Sequence, residues 1–452
     1  MADFNRRHIL CFTGASVLAG CDTSSITRSS KDAVGLSSPS RFVSVDGQRF
    51  SLNGSSYRFV GANIWYGAYL GSPGATGDRA RLLRELDDMR AVGITNLRVL
   101  ASSESGPLIS SVSPTFSEKG KLASNSDLLS GLDFLLSEMA KRDMKAVLYL
   151  TNFWEWSGGM QHYLHWADGR PVVDPAAPDH IWPAVANRVG EFYRTPAATE
   201  LYYSYVRSLV SRVNSITGIA YKDDPTLMSW QLSNEPRAGG SRNDVLANLQ
   251  PYYEWIETTV QLIRSIDKNH LVSLGHEGLK GCGEDRQCVL DAHRYVDYMT
   301  AHIWPQNWGW VNGKDLKGTY QKGEAAVSDY IDQHVAMAKL ANQPLVFEEF
   351  GYPRDDEAYD PGTPTIWRDR FYALIFKAVE DSQRLGGPVQ GSNLWAWGGT
   401  GRAIHSDYKM KKNDVNFVGD PPHEPQGWYS VFSSDTSTKA LVKAHASVLS
   451  KR

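Results

Sequence analysis

Four cysteines in 452 residues are too few for a disulfide-stapled scaffold, and no group of Cys and His completes a zinc set. Charge of one sign is missing too. The 47 Lys and Arg against 50 Asp and Glu leave a net charge of −3, no footprint for nucleic acid. No Gly-rich loop follows an apolar run to cradle phosphate, and no segment repeats another. The apolar stretch from Ile9 to Leu18 is too short to cross a bilayer as a mature helix. What remains is a long chain, sized for one large domain or two ordinary ones. It is unusually rich in tryptophan, with 14 copies, several of them at the ends of expected strands. Tryptophan at such positions has two uses: core packing, or stacking on an apolar ligand face such as a sugar ring.

The N terminus reads as an address. Arg6 and Arg7 precede the short apolar stretch, and Leu18-Ala19-Gly20-Cys21 follows it. Those four residues resemble the bacterial lipoprotein box, which implies cleavage before Cys21 and lipidation of its thiol. An ordinary secretory signal is the competing reading, and Arg6-Arg7-His8-Ile9-Leu10 also resembles a twin-arginine signal. Each of these sends the mature protein out of the cytoplasm. Residues 1–21 are therefore expected to be signal and lipobox, 22–40 a Ser/Thr-rich tether, and 41–452 the folded domain. In an oxidising compartment, Cys282 and Cys288 are expected to form a loop disulfide rather than a metal site.

Two stretches state the chemistry. The apolar run Leu227 to Leu232 reads as a buried strand ending in Ser233, Asn234 and Glu235. Pro236 cannot continue a ladder and is expected to push Glu235 into an extended conformation. Residues 344–351, Pro-Leu-Val-Phe-Glu-Glu-Phe-Gly, repeat the design, an apolar strand running into acids. The two acids are 349 − 235 = 114 residues apart, a spacing that fits strands facing each other across a barrel of βα repeats. Paired carboxylates flanking one bond are what glycoside hydrolysis needs.

The rest of the chain supports the barrel. Residues 42–60 alternate apolar and polar, with turns at Asp46-Gly47 and Asn53-Gly54, which suggests hairpins capping one end. Strands are expected at Arg58–Ile64, Thr95–Leu100, Ala146–Leu150, Leu227–Leu232, Leu271–Gly275, Tyr298–Trp304, Leu345–Glu349 and Gln390–Trp397. Helices alternate with them: Asp78–Val92, Leu128–Lys141, about Ala197–Val213, about Asp244–Lys268, Ala325–Leu340, Ile366–Leu385 and Ser437–Leu449. The helix of the fifth unit, within 276–297, is poorly marked. Eight such turns in one register mean a single (β/α)8 barrel with long loops, notably 152–195 and 398–436, at the mouth.

Residues at the strand ends then form a set: Trp65, Arg98, Asn152, Trp154, Asn234, Glu235, Arg237, His302, Trp304, Glu349 and Trp395. The pattern resembles glycoside hydrolase family 5, on Asn234-Glu235-Pro236 after the fourth strand and Glu349-Phe350-Gly351 after the seventh. Within that family, Asn234 to Arg237, His302 to Trp308, Gly391 to Gly399, Gly419 to Trp428 and Trp154 to Gly159 resemble bacterial endo-β-1,4-mannanases. The resemblance implies Glu235 as general acid/base and Glu349 as nucleophile. Asn234 is then expected to bond the sugar 2-hydroxyl, His302 to contact the sugar or the acid, and Trp395 to floor the reacting sugar. Trp65, Trp154, Trp304 and Trp308 become candidates for stacking or the cleft wall, while Arg237 either binds substrate or braces Glu235. Arg98 is expected to hold Glu349 ionised, and the charge on Glu349 to raise the pKa of Glu235. Glu348 is expected to point away from the lumen, since neighbours on a strand face opposite ways. Many family members carry Tyr where this chain has Trp304, and an indole N–H donates but cannot accept.

The expected partners are β-mannan or manno-oligosaccharide, the membrane through a lipid anchor only, and no nucleic acid, with the chain a monomer. Carboxylate chemistry of this kind needs no cofactor. Two other readings compete: an endo-β-1,4-glucanase on the same barrel, and a carbohydrate-binding lipoprotein that has lost catalysis.

Overall fold

Eight short parallel strands are buried almost throughout, because each is covered by helices outside and by the packed interior within. They are β1 (Phe59–Asn63), β2 (Ile94–Leu100), β3 (Lys145–Tyr149), β4 (Leu227–Gln231), β5 (Leu271–Ser273), β6 (Met299–Ile303), β7 (Leu345–Phe350) and β8 (Val389–Leu394). The computed structural model describes residues 41–451 apart from 109–110, 124–126, 176, 178–179 and 181. The expected signal, the lipidation site at Cys21 and the tether lie outside the described residues.

The strands pair in chain order, with β8 also pairing β1. A parallel bridge between Ser273 and Tyr298 joins β5 to the approach of β6 and closes the ring. Eight helices follow the strands in turn: α1 (Arg79–Ala91), α2 (Asp127–Lys141), α3 (Pro196–Val210), α4 (Arg242–Ile266), α5 (Arg286–His293), α6 (Leu316–Ala341), α7 (Ile366–Leu385) and α8 (Thr436–Leu449). The (β/α)8 barrel read from the sequence is the fold.

Helix α5 is only eight residues long, which is why periodicity did not mark it. It starts at Asp285, whose side chain accepts from the Gln287 and Cys288 N–H groups, and Cys288 bonds Cys282 just before it. Helix α6 begins nine residues before the expected Ala325, capped by Asp315. Gly318 and Gly323 in its first turns hide the helical signal. Strand β8 stops at Leu394 rather than Trp397; Trp397–Gly399 instead pairs with Val431–Phe432, deep in the 398–436 loop.

Three antiparallel strands, Ser44–Asp46, Arg49–Leu52 and Ser55–Tyr57, make the expected hairpins. Phe50 between them packs on Phe59 and Tyr298 at the N-terminal ends of barrel strands. A separate apolar cluster with Val147, Met228, Leu271 and Val346 closes that end of the barrel. The opposite end is left for the loops.

Candidate active site

Glu235 leaves β4 with a φ of +48°, left-handed rather than extended. Proline after it disfavours α-type backbone, but the ladder decides: its N–H donates to Gly275 O at 2.8 Å beyond the end of β5. Strain of this kind costs on the order of 1–3 kcal/mol and persists where surrounding bonds over-determine it.

Glu349 lies on β7 at a register shift. Ala301 pairs with Phe347 and His302 with Glu349, so Glu348 is the extra residue of a bulge. The bulge breaks the alternation, and both acids face inward, contrary to the expectation for Glu348. Glu348 accepts two bonds from Gln231 Nε2, at 2.8 and 2.9 Å, one layer below the mouth, while Glu349 lines the cleft.

Arg98 sits between the layers, wholly buried. Its guanidinium donates to Glu349 Oε1, to Gln231 at 2.7 Å, to Asn63 at 3.1 Å and to Asn234 Oδ1 at 2.7 Å. It therefore fixes Glu349 and Asn234 from beneath and does not reach the cleft as a substrate ligand. Asn152 is likewise wholly buried; its Oδ1 accepts from Asn234 Nδ2 at 3.1 Å. Asn234 itself lines the cleft with its orientation set from both sides.

Above this floor, carboxyl oxygens of Glu235 and Glu349 and a ring nitrogen of His302 lie within 4.8 Å of one another. His302 Nδ1 is 2.6 Å from Glu235 Oε1 and 3.3 Å from Glu349 Oε2, and its Nε2 is 3.4 Å from Glu348. Burial would strip the imidazole of its proton, but Glu349, Glu235 and Glu348 outweigh burial and raise its pKa to about 10. His302 thus contacts the acid, as expected, and is shut off from the cleft. The three ligand atoms have a spacing that could hold a metal ion, and the same spacing is what paired catalytic carboxylates need.

The two acids are tuned in the reverse of the expected sense. Burial pushes Glu349 up to about 7, although the charges of His302 and Arg98 oppose it. Burial would raise Glu235 as well, yet the His302 imidazolium and Arg237 hold it below the ordinary carboxylate range. Trp154 Nε1 donates to Glu235 Oε2 at 2.5 Å, and Trp304 Nε1 to Oε1 at 3.3 Å. The indole of Trp304 therefore serves Glu235, not Glu349. The His302–Glu235 pair thus holds one proton between its two members, favoured on the imidazole.

A cavity of about 610 Å³ opens over these groups. Trp154, Trp304 and Trp395 line it as expected, and the buried Trp395 Nε1 has no hydrogen-bond partner among the described residues. Trp65 does not line it: wholly buried, it donates to Gly419 O at 3.0 Å and packs on Trp156 and Phe417. Arg237 lines the cavity between Trp154 and Trp182 and pairs with Glu277 at 2.5 and 2.7 Å. It braces the acid's surroundings and presents a cation to the cleft at once.

Among the lining residues that escaped the sequence are Glu277, Trp182 and Glu424. Glu277 follows β5 as Glu235 follows β4, the same signal on a shorter strand. Trp182 and Glu424 come from the two long loops, where no periodicity operates. Cys282 and Cys288 form the expected disulfide.

The sequence from 40 to 452 matches the family model described as GH family 5 beta-mannosidase-like. Mannan endo-1,4-beta-mannosidase 4 of Solanum lycopersicum is 28% identical over 82% of this chain and 86% of its own length. Among solved structures, the family 5 mannosidase of Rhizomucor miehei is 34% identical with a TM-score of 0.81, covering 90% of this chain and 97% of its own. A variant of that enzyme is known in complex with mannosyl-fructose. The endo-1,4-beta-mannanase of the same organism shares the fold, with a TM-score of 0.65 at 23% identity over 91% of this chain and all of its own.

Proposed function

The chain belongs to glycoside hydrolase family 5, and from that premise we propose that it is a retaining endo-β-1,4-mannanase acting on mannan, glucomannan, galactomannan or their oligosaccharides. Glu349, once ionised, attacks the anomeric carbon. The His302–Glu235 pair delivers a proton through Glu235 to the leaving glycosidic oxygen. The glycosyl ester on Glu349 is then hydrolysed by a water from which Glu235 takes a proton. Asn234, held by Arg98 and Asn152, bonds the 2-hydroxyl in this reading, a bond that strengthens in the transition state.

The observation that carries this reading is the approach of the Glu235 and Glu349 oxygens to within 4.8 Å across the mouth. Retaining enzymes need about 5–5.5 Å, and inverting ones about 6.5–9.5 Å to admit a water. Reducing-sugar release from mannan against carboxymethylcellulose tests the substrate, with Glu349→Ala as the blank. A preference for cellulose would retire mannan in favour of the glucanase.

A second reading, a β-mannosidase working from chain ends, is favoured by the 34% identity to the Rhizomucor mannosidase. Chain length of the first products separates the two: mixed oligosaccharides for interior attack, mannose alone for terminal attack.

The lipobox at Leu18 to Cys21 supports an exported lipoprotein, periplasmic or at the cell surface and tied to the membrane through lipid alone, with a secreted protein as the alternative. Labelled palmitate in the full-length chain, lost in Cys21→Ala, is the expected result. Equal labelling of both would remove the anchor.

A further inference from the structure

The end of the barrel opposite the cleft carries an apolar tip. Residues 211–220 turn the chain from the end of α3 back towards the start of β4, which places them at the N-terminal face. From Val213 to Ala220 the segment holds no charged residue. Val213, Ile216 and Ile219 project from it, 54%, 51% and 41% exposed. Single exposed apolar residues are ordinary on any surface. Among the described residues, no other three large ones lie within seven residues of one another.

The tip is braced from inside. Val213 and Ala220 form an antiparallel bridge, and the buried Asp133 on α2 accepts from Arg212, Ser215 and Tyr221. Every backbone N–H from 214 to 219 donates within the protein. Asn214 bonds Ile219 O, Ser215 bonds Asp133, Ile216 and Thr217 share Asn214 Oδ1, Gly218 bonds Asn214 O, and Ile219 bonds Thr217 Oγ1. A loop in water can leave such donors to the solvent. One that enters lipid must satisfy them itself, because an unpaired donor there is costly.

The start of the folded domain lies at the same end. Phe42 meets the His270 ring edge-on at 5.0 Å, and His270 Nε2 is 2.9 Å from Asp224 O. Asn269 donates to Lys222 O at 2.8 Å, just beyond the tip. The chain between the lipobox Cys21 and Arg41 is short beside the barrel. A flexible tether of that length spans about 25 Å on average, against roughly 55 Å for a domain of this size.

We propose that the tip formed by Val213, Ile216 and Ile219 docks on the surface of the lipid bilayer and turns the cleft outward, towards polysaccharide. The inference rests on the lipoprotein reading above and adds an orienting contact to the lipid tie. Three half-exposed side chains are too few to hold a protein on a membrane alone. A short tether supplies an effective concentration in the millimolar range, which is what a weak contact needs.

The test uses the full-length lipidated protein in vesicles of phosphatidylethanolamine and phosphatidylglycerol. Ile216→Cys takes an environment-sensitive dye, and Ile404→Cys, exposed on the loop at the mouth, takes the same dye as the comparison. Cys282 and Cys288 are bonded to each other and do not react. Lipids carrying a quencher just below the headgroup should quench the dye at 216 several-fold more than the dye at 404. With the dye on Val213→Cys, adding Ile216→Ser and Ile219→Ser should remove most of that quenching, while thermal unfolding and hydrolysis rates stay as in wild type. Equal quenching at 216 and 404, or none at 216, in a chain that carries lipid would overturn the proposal and leave the anchor standing. If the serine changes instead dissolve a dimer of the unlabelled protein, the tip belongs to a second copy and the proposal falls. A chain without lipid on Cys21 would overturn the lipoprotein reading, and the proposal with it.

Discussion

At the scale of single residues, the site is governed by where two protons sit. As the proposed nucleophile, Glu349 reacts only as a carboxylate and is raised to about 7, so kcat/KM should climb with pH up to about 7 and level above it. The alkaline limb belongs to the proton shared by His302 and Glu235. His302→Asn removes the cation that lowers Glu349, so the acid limb should move to higher pH in a pH–rate profile. The alkaline limb should move down, since Glu235 would then hold the proton alone. A profile unmoved by His302→Asn would contradict the shared proton. Arg98→Met takes from Glu349 and Glu348 one of their two buried cations, the other being His302, and breaking such a pair costs about 3–5 kcal/mol, measurable by denaturant unfolding. Both cleft acids, Glu235 and Glu349, were legible in the sequence because each ends an apolar strand. Their relative proton affinities were not, because His302 sets them and its contacts with three acids arise only on barrel closure.

At the scale of elements, the position of Glu235 depends on the end of β5. Gly275 has φ +82°, and a Cβ there would meet Ser233 O at 1.9 Å, on the segment that carries Glu235. Gly275→Ala must therefore push Ser233–Glu235 out of place. A shift of about 1 Å at a catalytic group costs about 10²-fold, so kcat should fall by that order while Glu349 stays reactive. Azide rescue does not apply to such a displacement, and the drop is read directly from steady-state rates. The bulge at Glu348 is the other local device, and alternation alone misread it. Period-two reasoning assumes one residue for one, and a bulge supplies two. Helix α5 was faint for a related reason: a short helix fixed by the Asp285 cap and a disulfide needs little periodicity.

At the scale of the whole molecule, a closed ring of strands puts β4 and β7 on opposite walls and carries their last residues to one mouth. Alternating apolar strands and amphipathic helices made that architecture readable. The furnishing of the cleft was less so, because Trp182 and Glu424 sit on long loops whose paths follow from tertiary contacts. Trp65 shows the converse: a strand-end position and an aromatic side chain suggested the cleft wall, and packing against Trp156 and Phe417 claimed it for the core.

The stereochemistry of the first product tests the central claim most directly. Proton NMR during the opening minutes of hydrolysis of a β-mannoside should show the β-anomer of the released sugar appearing first, with the α-anomer growing only by mutarotation. The α-anomer first would mean a single displacement by water, and would contradict a nucleophilic Glu349 facing Glu235 across the mouth.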